Sequence, residues 1–441
     1  MLARSPWAAR LRSAALHAPQ SLWGMAEYFA YPLMMFCATP FFLAMLGKEQ
    51  YGQWMLLLAF TGFGGIAGLG MGTAAVKEVS AHRGRSDMAG AAMAVRACLA
   101  VTLASSLCLA AIIALAAFAL DSAWLAKVGA PEVVRNIIGF AIALITLEQI
   151  DTVFSGSIRG MERFDIAAKL EIVAKFVVVV AAAVAAWLTR DLVVIFWSIL
   201  GVTVVRALAK ALFASALLGG GALIPVWDGD YVREAIRFGK WTWLQSIGSA
   251  MFATADRLLV GALLGSAALA QYSVCLQLAQ QVQTIPAAGA GFLFPLFSRR
   301  IQSGESVSKI AMMATLAFGL LAAALATPLV VFGHWILTMW IGPDFADLNY
   351  GLLLWLTLAF VILAASIGPH FFLLGSDKAH MVALINIGAG VLALLAGVFL
   401  VRHSGVVGGA FMRAVYSLVL CSNIAAMFTA FDRGSYALLK R

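Results

Sequence analysis

The sequence predicts an all-α polytopic membrane protein, and its composition and the spacing of its apolar runs carry that prediction. Of the 441 residues, 63% are hydrophobic and only 12% are charged, and the mean hydropathy is +0.94. This composition is too apolar for a soluble protein. Apolar runs of about bilayer length alternate with short polar loops along the whole chain. No loop is long enough for a soluble catalytic domain.

Twelve apolar runs are long enough to cross a bilayer as helices. Their predicted bounds are 24–46, 52–75, 90–120, 136–158, 170–189, 192–217, 240–265, 271–297, 310–341, 349–374, 379–401 and 405–430. We therefore expect about 12 transmembrane helices in two six-helix lobes, residues 1–217 and 240–441, joined by a cytoplasmic linker at 218–239. Because each lobe has six spans, both begin on the same side, which predicts pseudo-twofold symmetry along the membrane normal.

Lysine and arginine are distributed unevenly between the two sets of loops. With both termini in the cytoplasm, the inner segments hold 19 of these residues, Lys240 at the boundary included, and the outer loops hold 5. Such a bias sets the orientation of a membrane protein. The net charge of +9 therefore reflects topology, and we expect no nucleic-acid partner.

Motifs for catalysis or for cofactor binding are not found in the sequence. The five cysteines all lie in predicted spans and form no CxxC pair. The glycine clusters at 62–65 and 68–72 lack the lysine of a phosphate-binding loop, so they are expected to be close-packing glycines inside an apolar helix. We expect no metal, no cofactor and no enzymatic activity.

The seventh predicted span carries charges in the middle of an apolar run. Gln245, Ser249 and Asp256 fall within roughly 40° of one another on a helix, whereas Arg257 is turned by about 100°. Lipid does not accept such a polar stripe, so it should face a wet or protein-lined interior. We expect Asp256 to point into a passage and Arg257 to reach a neighbouring helix or the interface. This pattern indicates a transporter.

The fourth predicted span carries a second polar stripe. Glu148 and Asp151 are three residues apart, and together they cost about 5–7 kcal/mol of insertion free energy. At least one of them should therefore contact a base or share a proton. They are candidates, with Asp256, for binding a coupling ion; the alternative is a structural ion pair with a basic residue of a neighbouring span.

Other polar residues in predicted spans are candidates for binding a substrate. Arg206, Lys210 and Arg413 suit a cavity for an anionic head group such as a diphosphate. The eighth span adds the amides of Gln277 and Gln280, with Gln281 beside them, which suit a sugar-lined passage. Hydrogen bonding between helices explains these amides equally well.

Four sets of short motifs resemble those of a known family. They are LGKEQYGQW at 46–54, GLGMG at 68–72, RGMERF at 159–164, and DRLLVG at 256–261 with YSV at 272–274 and FPLFS at 294–298. The ordered set resembles the polysaccharide transporter family, the O-antigen-flippase-like (Wzx-type) branch of the multidrug/oligosaccharidyl-lipid/polysaccharide exporter superfamily.

The resemblance implies a flippase of the bacterial inner membrane that moves an undecaprenyl-diphosphate-linked oligosaccharide by alternating access. Asp256 and Arg257 match the family's seventh-span aspartate and arginine. Implied partners are membrane lipids, a proton or sodium ion, and polysaccharide polymerase or assembly proteins. The alternatives are a drug/cation antiporter of the same superfamily and a membrane glycosyltransferase or polymerase.

The predicted orientation can be tested by cysteine labelling. Because of the charge bias, single cysteines at Ser86 and Ser303 should react only from the cytoplasm, and a cysteine at Ser404 should react from the periplasm. The measurement is labelling of intact cells with a membrane-impermeant maleimide. Reaction of the Ser86 variant in intact cells would reverse the assigned topology.

Overall fold

The structure, a computed structural model, describes residues 6–62, 64–119, 131–220, 223–290, 293–302, 307–376 and 378–429. These residues form helices and short turns without any β-strand, so the all-α prediction is confirmed. The helices, numbered in chain order, are α1 Pro6–Thr61, α2 Gly64–Ala67, α3 Met71–Gly84, α4 Met88–Ala119, α5 Pro131–Gly160, α6 Phe164–Thr189, α7 Leu192–Leu217, α8 Gly229–Leu264, α9 Ser266–Ala279, α10 Gln281–Gly289, α11 Leu293–Gln302, α12 Ser308–Trp340, α13 Pro343–Ala364, α14 Ile367–Gly375, α15 Ala379–Ser404 and α16 Val406–Leu420.

Nine helical stretches of the described residues are long and apolar enough to cross a membrane. They are Ala30–Thr61, Met88–Leu115, Asn136–Gly160, Phe164–Thr189, Leu192–Leu217, Ser308–Trp340, Pro343–Gly375, His380–Ser404 and Val406–Thr429. The prediction of a polytopic membrane protein is therefore confirmed. The pseudo-twofold relation between two lobes stays a prediction.

Three predicted spans have internal breaks that hydrophobicity did not reveal. Within the predicted span 52–75, α1 ends at Thr61 and α3 begins at Met71. Leu69 and Gly70, just before α3, have φ of 46° and 73°. The predicted span 271–297 is divided into α9, α10 and α11, and α10 contains Pro286. The predicted span 349–374 begins earlier, at Pro343, and is interrupted between α13 and α14. Hydropathy averages over a window, so it does not register one residue with positive φ.

The described residues form two compact units. Unit 1 comprises residues up to Leu46, residues 64–119 and residues 138–246; unit 2 comprises Gly47–Gly62, residues 131–137 and the described residues from Ile247 onwards. The chain passes from unit 1 to unit 2 within α1 at Gly47, whose φ of 72° and ψ of 173° form a kink. The predicted division into residues 1–217 and 240–441 stays a prediction.

Small residues allow α3 and α5 to pack closely within unit 1. A Cβ at Gly72 would lie 3.2 Å from the Cβ of Thr152, and a Cβ at Gly156 would collide with the carbonyl oxygen of Gly72. The expectation of close-packing glycines is met at Gly72. Their expected place inside one apolar helix is wrong, because the chain leaves helical geometry at Leu69 and Gly70. This contact fixes the rotation of α5 against α3, and Thr152 lies within about 40° of Glu148 around the helix.

The turn between α3 and α4 carries an exposed polar cluster. Asp87 accepts hydrogen bonds from the Gly90 N–H at 2.8 Å and pairs with His82 Nδ1 at 2.8 Å. These two interactions, the first the larger, lower the pKa of Asp87. Ser86 is exposed in this turn, so a probe can reach it.

Close packing at Gly52 predicts a measurable effect of one methyl group. A Cβ at Gly52 would collide with the backbone carbonyl of Ser266, which cannot rotate away. Gly52→Ala should therefore lower the free energy of unfolding by about 1–3 kcal/mol and reduce the yield of folded protein. The measurement is the thermal unfolding temperature in detergent.

The matched control for that substitution is Gly201→Ala on α7. A Cβ at Gly201 would have no neighbour within 4 Å, so this variant should unfold at the wild-type temperature or slightly above it. Equal unfolding temperatures for the Gly52 and Gly201 variants would show that α1 does not approach α9 as described.

Candidate functional site

Six charged residues of α5, α6 and α7 come together inside unit 1. We call them the charged cluster: Glu148 and Asp151 on α5, Glu171 and Lys175 on α6, and Arg206 and Lys210 on α7. The i, i+4 spacing places Glu171 and Lys175 on one face of α6 and Arg206 and Lys210 on one face of α7. Each helix thus contributes two charges to the same region.

The Lys210 ammonium is the most deeply buried member of the charged cluster, with a side chain only 1% exposed. Its Nζ donates hydrogen bonds to Asp151 Oδ2 and to Glu171 Oε2, both at 2.6 Å. Arg206 lies on the second oxygens of the same carboxylates, at 3.4 Å from Asp151 Oδ1 and 3.4 Å from Glu171 Oε1. The expected contact between an acid of the fourth span and a base is therefore confirmed for Asp151.

Glu148 differs from the other members of the charged cluster. It is half-buried and interacts electrostatically with Arg206, Lys175 and the neighbouring carboxylates. Within the described residues it makes no hydrogen bond or ion pair. Its carboxyl group is thus the one in this cluster that no basic side chain holds at hydrogen-bonding distance.

A second buried group lies in unit 2 around Asp256. We call it the aspartate clamp: Asp256 on α8, Tyr272 on α9 and Arg413 on α16. Arg413 donates to Asp256 Oδ2 through Nε at 2.9 Å and through Nη2, and the Tyr272 hydroxyl donates to the same oxygen at 2.5 Å. The Arg257 backbone N–H donates to Oδ1 at 2.8 Å. The guanidinium of Arg413 also lies over the ring of Phe360, 5.2 Å from its centroid.

The expected orientation of Asp256 towards an open passage is wrong in this structure. Its side chain is only 4% exposed, and both of its oxygens accept hydrogen bonds. The polar stripe correctly predicted that Asp256 does not face lipid. A stripe alone, however, does not distinguish a passage from a partner helix. Arg413, expected in a cavity for an anion, is likewise held by Asp256.

The guanidinium of Arg257 is not paired within the described residues, and its predicted reach towards a neighbouring helix or the interface stays a prediction. Its side chain is half-buried, its Nε is buried, and no hydrogen bond or ion pair engages its guanidinium among the described residues. Asp256, Arg413, Tyr272 and Tyr51 influence it electrostatically. Arg257 is thus a cation in an apolar unit whose fork of donors is left for another partner.

The glutamines of the predicted eighth span lie around the break between α9 and α10. Gln280 is the residue between the two helices, and Gln281 Nε2 donates to the backbone oxygen of Gln277 at 3.2 Å. The amide of Gln281 is therefore used within its own chain segment. The side chains of Gln245 and Ser249 lie outside the described residues, so their predicted role stays a prediction.

Two residues of these sites were missed by reasoning from the sequence. Glu171 lies at the start of the predicted span 170–189 and was not singled out, although its i, i+4 spacing to Lys175 is a usable signal. Tyr272 was noted only as part of a motif, because a tyrosine in an apolar helix does not by itself indicate a hydrogen bond to a buried carboxylate. The partner of a buried carboxylate on a different helix has no signal in sequence spacing.

Comparisons with known proteins identify the family of the chain and its fold. The family described as "Polysaccharide biosynthesis protein" matches residues 21–300. The chain belongs to this family. The resemblance noted in the motifs is thereby confirmed. None of the curated proteins compared with the chain matches it.

Solved structures similar to this family member are transporters. An inward-facing multidrug resistance MATE family transporter of the MOP superfamily is 14% identical, with a TM-score of 0.67, over 94% of this chain and 95% of that chain. The outward-facing form of such a transporter is 14% identical, with a TM-score of 0.62, over 94% of this chain and 95% of that chain. A MOP superfamily transporter from Pyrococcus furiosus is described as having a binding pocket of reverse polarity. It is 16% identical, with a TM-score of 0.56, over 96% of this chain and 95% of that chain. Family and fold together support a multi-pass membrane transporter.

The aspartate clamp predicts that Asp256 is needed for folding. Asp256→Asn keeps the shape of the side chain but leaves the Arg413 guanidinium buried without a counter-charge, at a cost of about 3–5 kcal/mol. We expect a clear fall in folded protein, measured by monodisperse yield and unfolding temperature in detergent. Wild-type stability of this variant would mean that the clamp does not form.

A matched comparison uses the neighbouring arginine. Arg257→Gln removes a charge that no side chain of the described residues pairs with, so it should leave the unfolding temperature near the wild-type value. The order of the two effects is the reverse of what the helical stripe alone suggests. A larger loss of stability in the Arg257 variant would restore the assignment made from the sequence.

Proposed function

We propose that the chain is a flippase that moves an undecaprenyl-diphosphate-linked oligosaccharide across the bacterial inner membrane by alternating access, without catalysing a reaction. Membership of a polysaccharide biosynthesis family and a transporter fold support the substrate class and the process. Lipid membranes and polysaccharide polymerase or assembly proteins are the expected partners. The proposal places both termini in the cytoplasm, as the charge bias predicts.

The observation that carries the proposal is that the guanidinium of Arg257 makes no hydrogen bond or ion pair with the described residues. A cation in an apolar unit is costly and marks a functional site by default. The other charges of its neighbourhood are already paired, because Arg413 and Asp256 neutralise each other. A diphosphate group supplies the missing anion, and a guanidinium binds phosphate oxygens through two parallel donors.

The same observation argues against a drug/cation antiporter, which remains the second candidate because similar structures are multidrug transporters. A cationic substrate would be repelled by Arg257. For unit 2, the described residues offer a spare positive charge and no unpaired carboxylate beside it. An anionic substrate fits this arrangement, and a cationic one does not.

The test of the proposed function is the polysaccharide output of Arg257 variants. Arg257→Gln should lower the affinity for the diphosphate lipid by roughly 10–100-fold, since it removes charge-assisted hydrogen bonds. Arg257→Lys should retain part of the activity as a point charge. The measurement is surface polysaccharide in a flippase-deleted strain, normalised to inserted protein.

The control for this test is Arg402→Gln, at an exposed arginine near the end of α15. It removes the same charge from a site without proposed contact with the substrate, so polysaccharide output should stay at the wild-type level. Normal output from Arg257→Gln would overturn the assignment of the head group to Arg257.

We also propose that Glu148 binds a coupling proton. The charged groups that surround it are those of the charged cluster: Asp151 on its own helix, Glu171 and Lys175 on α6, and Arg206 and Lys210 on α7. Because Lys210 and Arg206 already hold the other two carboxylates, Glu148 is the member left to gain or lose a proton. Asp256, also a candidate from the sequence, is held in the aspartate clamp.

Glu148→Gln should abolish the dependence of transport on a pH gradient while leaving the protein folded. The amide mimics the protonated acid and cannot release a proton, so coupling is lost. Proteoliposomes with and without an imposed gradient provide the measurement, and Glu162→Gln, at an exposed residue, is the control. If the Glu148 variant still responds to the gradient, the proton binds elsewhere.

A further inference from the structure

The two 2.6 Å hydrogen bonds of Lys210 bring together carboxylates from different helices. Asp151 on α5 and Glu171 on α6 direct one oxygen each at the same ammonium. A lysine in a membrane span normally extends its stem to place the charge in water. Lys210 instead has a side chain that is only 1% exposed, and its ammonium lies between two acids. The position of its charge is therefore determined by the two carboxylates.

A pair of facing carboxylate oxygens is the kind of ligand set that hard metal cations take in proteins. Two carboxylates that share a site do not both stay ionised unless a cation lies between them. Here that cation is part of the chain. Arg206 does not replace it, because its contacts with the same two carboxylates are longer, at 3.4 Å.

We propose that Lys210 is a tethered cation that permanently occupies a monovalent-cation site formed by Asp151 and Glu171. Because the ammonium is attached to α7, it cannot be exchanged for Na⁺ across the membrane. Unit 1 therefore binds no inorganic cation at this pair. This inference deepens the proposed function, on which it rests for its role in transport, because it leaves protonation of Glu148 as the ion-coupling step of unit 1.

Charge counting supports exchange of the ammonium for a monovalent ion. The charged cluster has three carboxyl groups, of Glu148, Asp151 and Glu171, and three cationic side chains, of Arg206, Lys210 and Lys175. Lys210→Met removes one positive charge and ends its chain one atom short of the ammonium position. The two carboxylate oxygens then face a space without a cation. One Na⁺ restores both the charge and the coordination.

The experiment measures thermal unfolding of purified protein by its tryptophan fluorescence. Na⁺ is varied from roughly 1 to roughly 300 mM, with N-methylglucamine keeping the ionic strength constant. Wild-type protein should show no Na⁺-dependent shift in Tm. Lys210→Met should start lower and rise by about 5 °C or more at high Na⁺, as expected for a ligand that binds only the folded state.

Two further variants separate this proposal from a plain structural ion pair. The double variant Lys210→Met, Asp151→Asn also lacks one of the two carboxylates that would bind Na⁺. Its Tm should therefore not respond to Na⁺. Lys309→Met, at an exposed lysine of α12, should behave as wild type. Because the readout needs no substrate, failure here leaves the flippase proposal standing, and failure of the flippase assay leaves this result standing.

If Lys210→Met folds and its Tm does not respond to Na⁺, the proposal is overturned. A Na⁺-dependent Tm in Lys210→Met alone, or recovery of that variant only when Na⁺ is present during purification, supports the tethered cation. A Na⁺-dependent Tm in the wild type overturns it. If Lys210→Met fails to fold at any Na⁺ concentration while the double variant folds, Na⁺ cannot replace the ammonium, and the proposal is also overturned.

Discussion

The cost of placing a charge among apolar helices governs both sites of this protein. An unpaired ion in such surroundings costs several kcal/mol, and a hydrogen-bonded counter-ion offsets that cost only when the geometry is good. In unit 1 this brings α5, α6 and α7 together around Lys210. In unit 2 it brings α8, α9 and α16 together around Asp256. Helix contacts that apolar packing alone would leave interchangeable are thereby fixed in register.

The two units keep a charge of opposite sign outside these pairings. In unit 1 it is the carboxyl group of Glu148, and in unit 2 it is the guanidinium of Arg257, as far as the described residues show. A structural role explains a paired charge, but it does not explain why a chain retains one without a partner. The paired charges hold helices together, and the two others are the ones for which we propose a ligand.

Much of the fold was predictable from the sequence, and the site was predictable only in part. Apolar length predicted most of the nine spans found among the described residues, and α7 has the predicted bounds of 192–217. The insertion cost of Asp151 correctly required a base, and Arg206 and Lys210, which were expected to bind an anionic head group, supply it. The pairing of Asp256 was not predicted, because a helical wheel gives direction but not the neighbour that lies there. That neighbour, Arg413, is 157 residues away in the chain.

The kink at Gly47 has a consequence for how this chain can be divided. Unit 2 takes in Gly47–Gly62 from the first half of the chain, and unit 1 extends to Ser246, within α8. A gene cut in the 218–239 segment would thus give two fragments, each carrying a piece that belongs to the other unit. The fragments would be obliged to associate in order to bury those pieces, which makes the protein suited to complementation from split genes and unsuited to the isolated production of either unit.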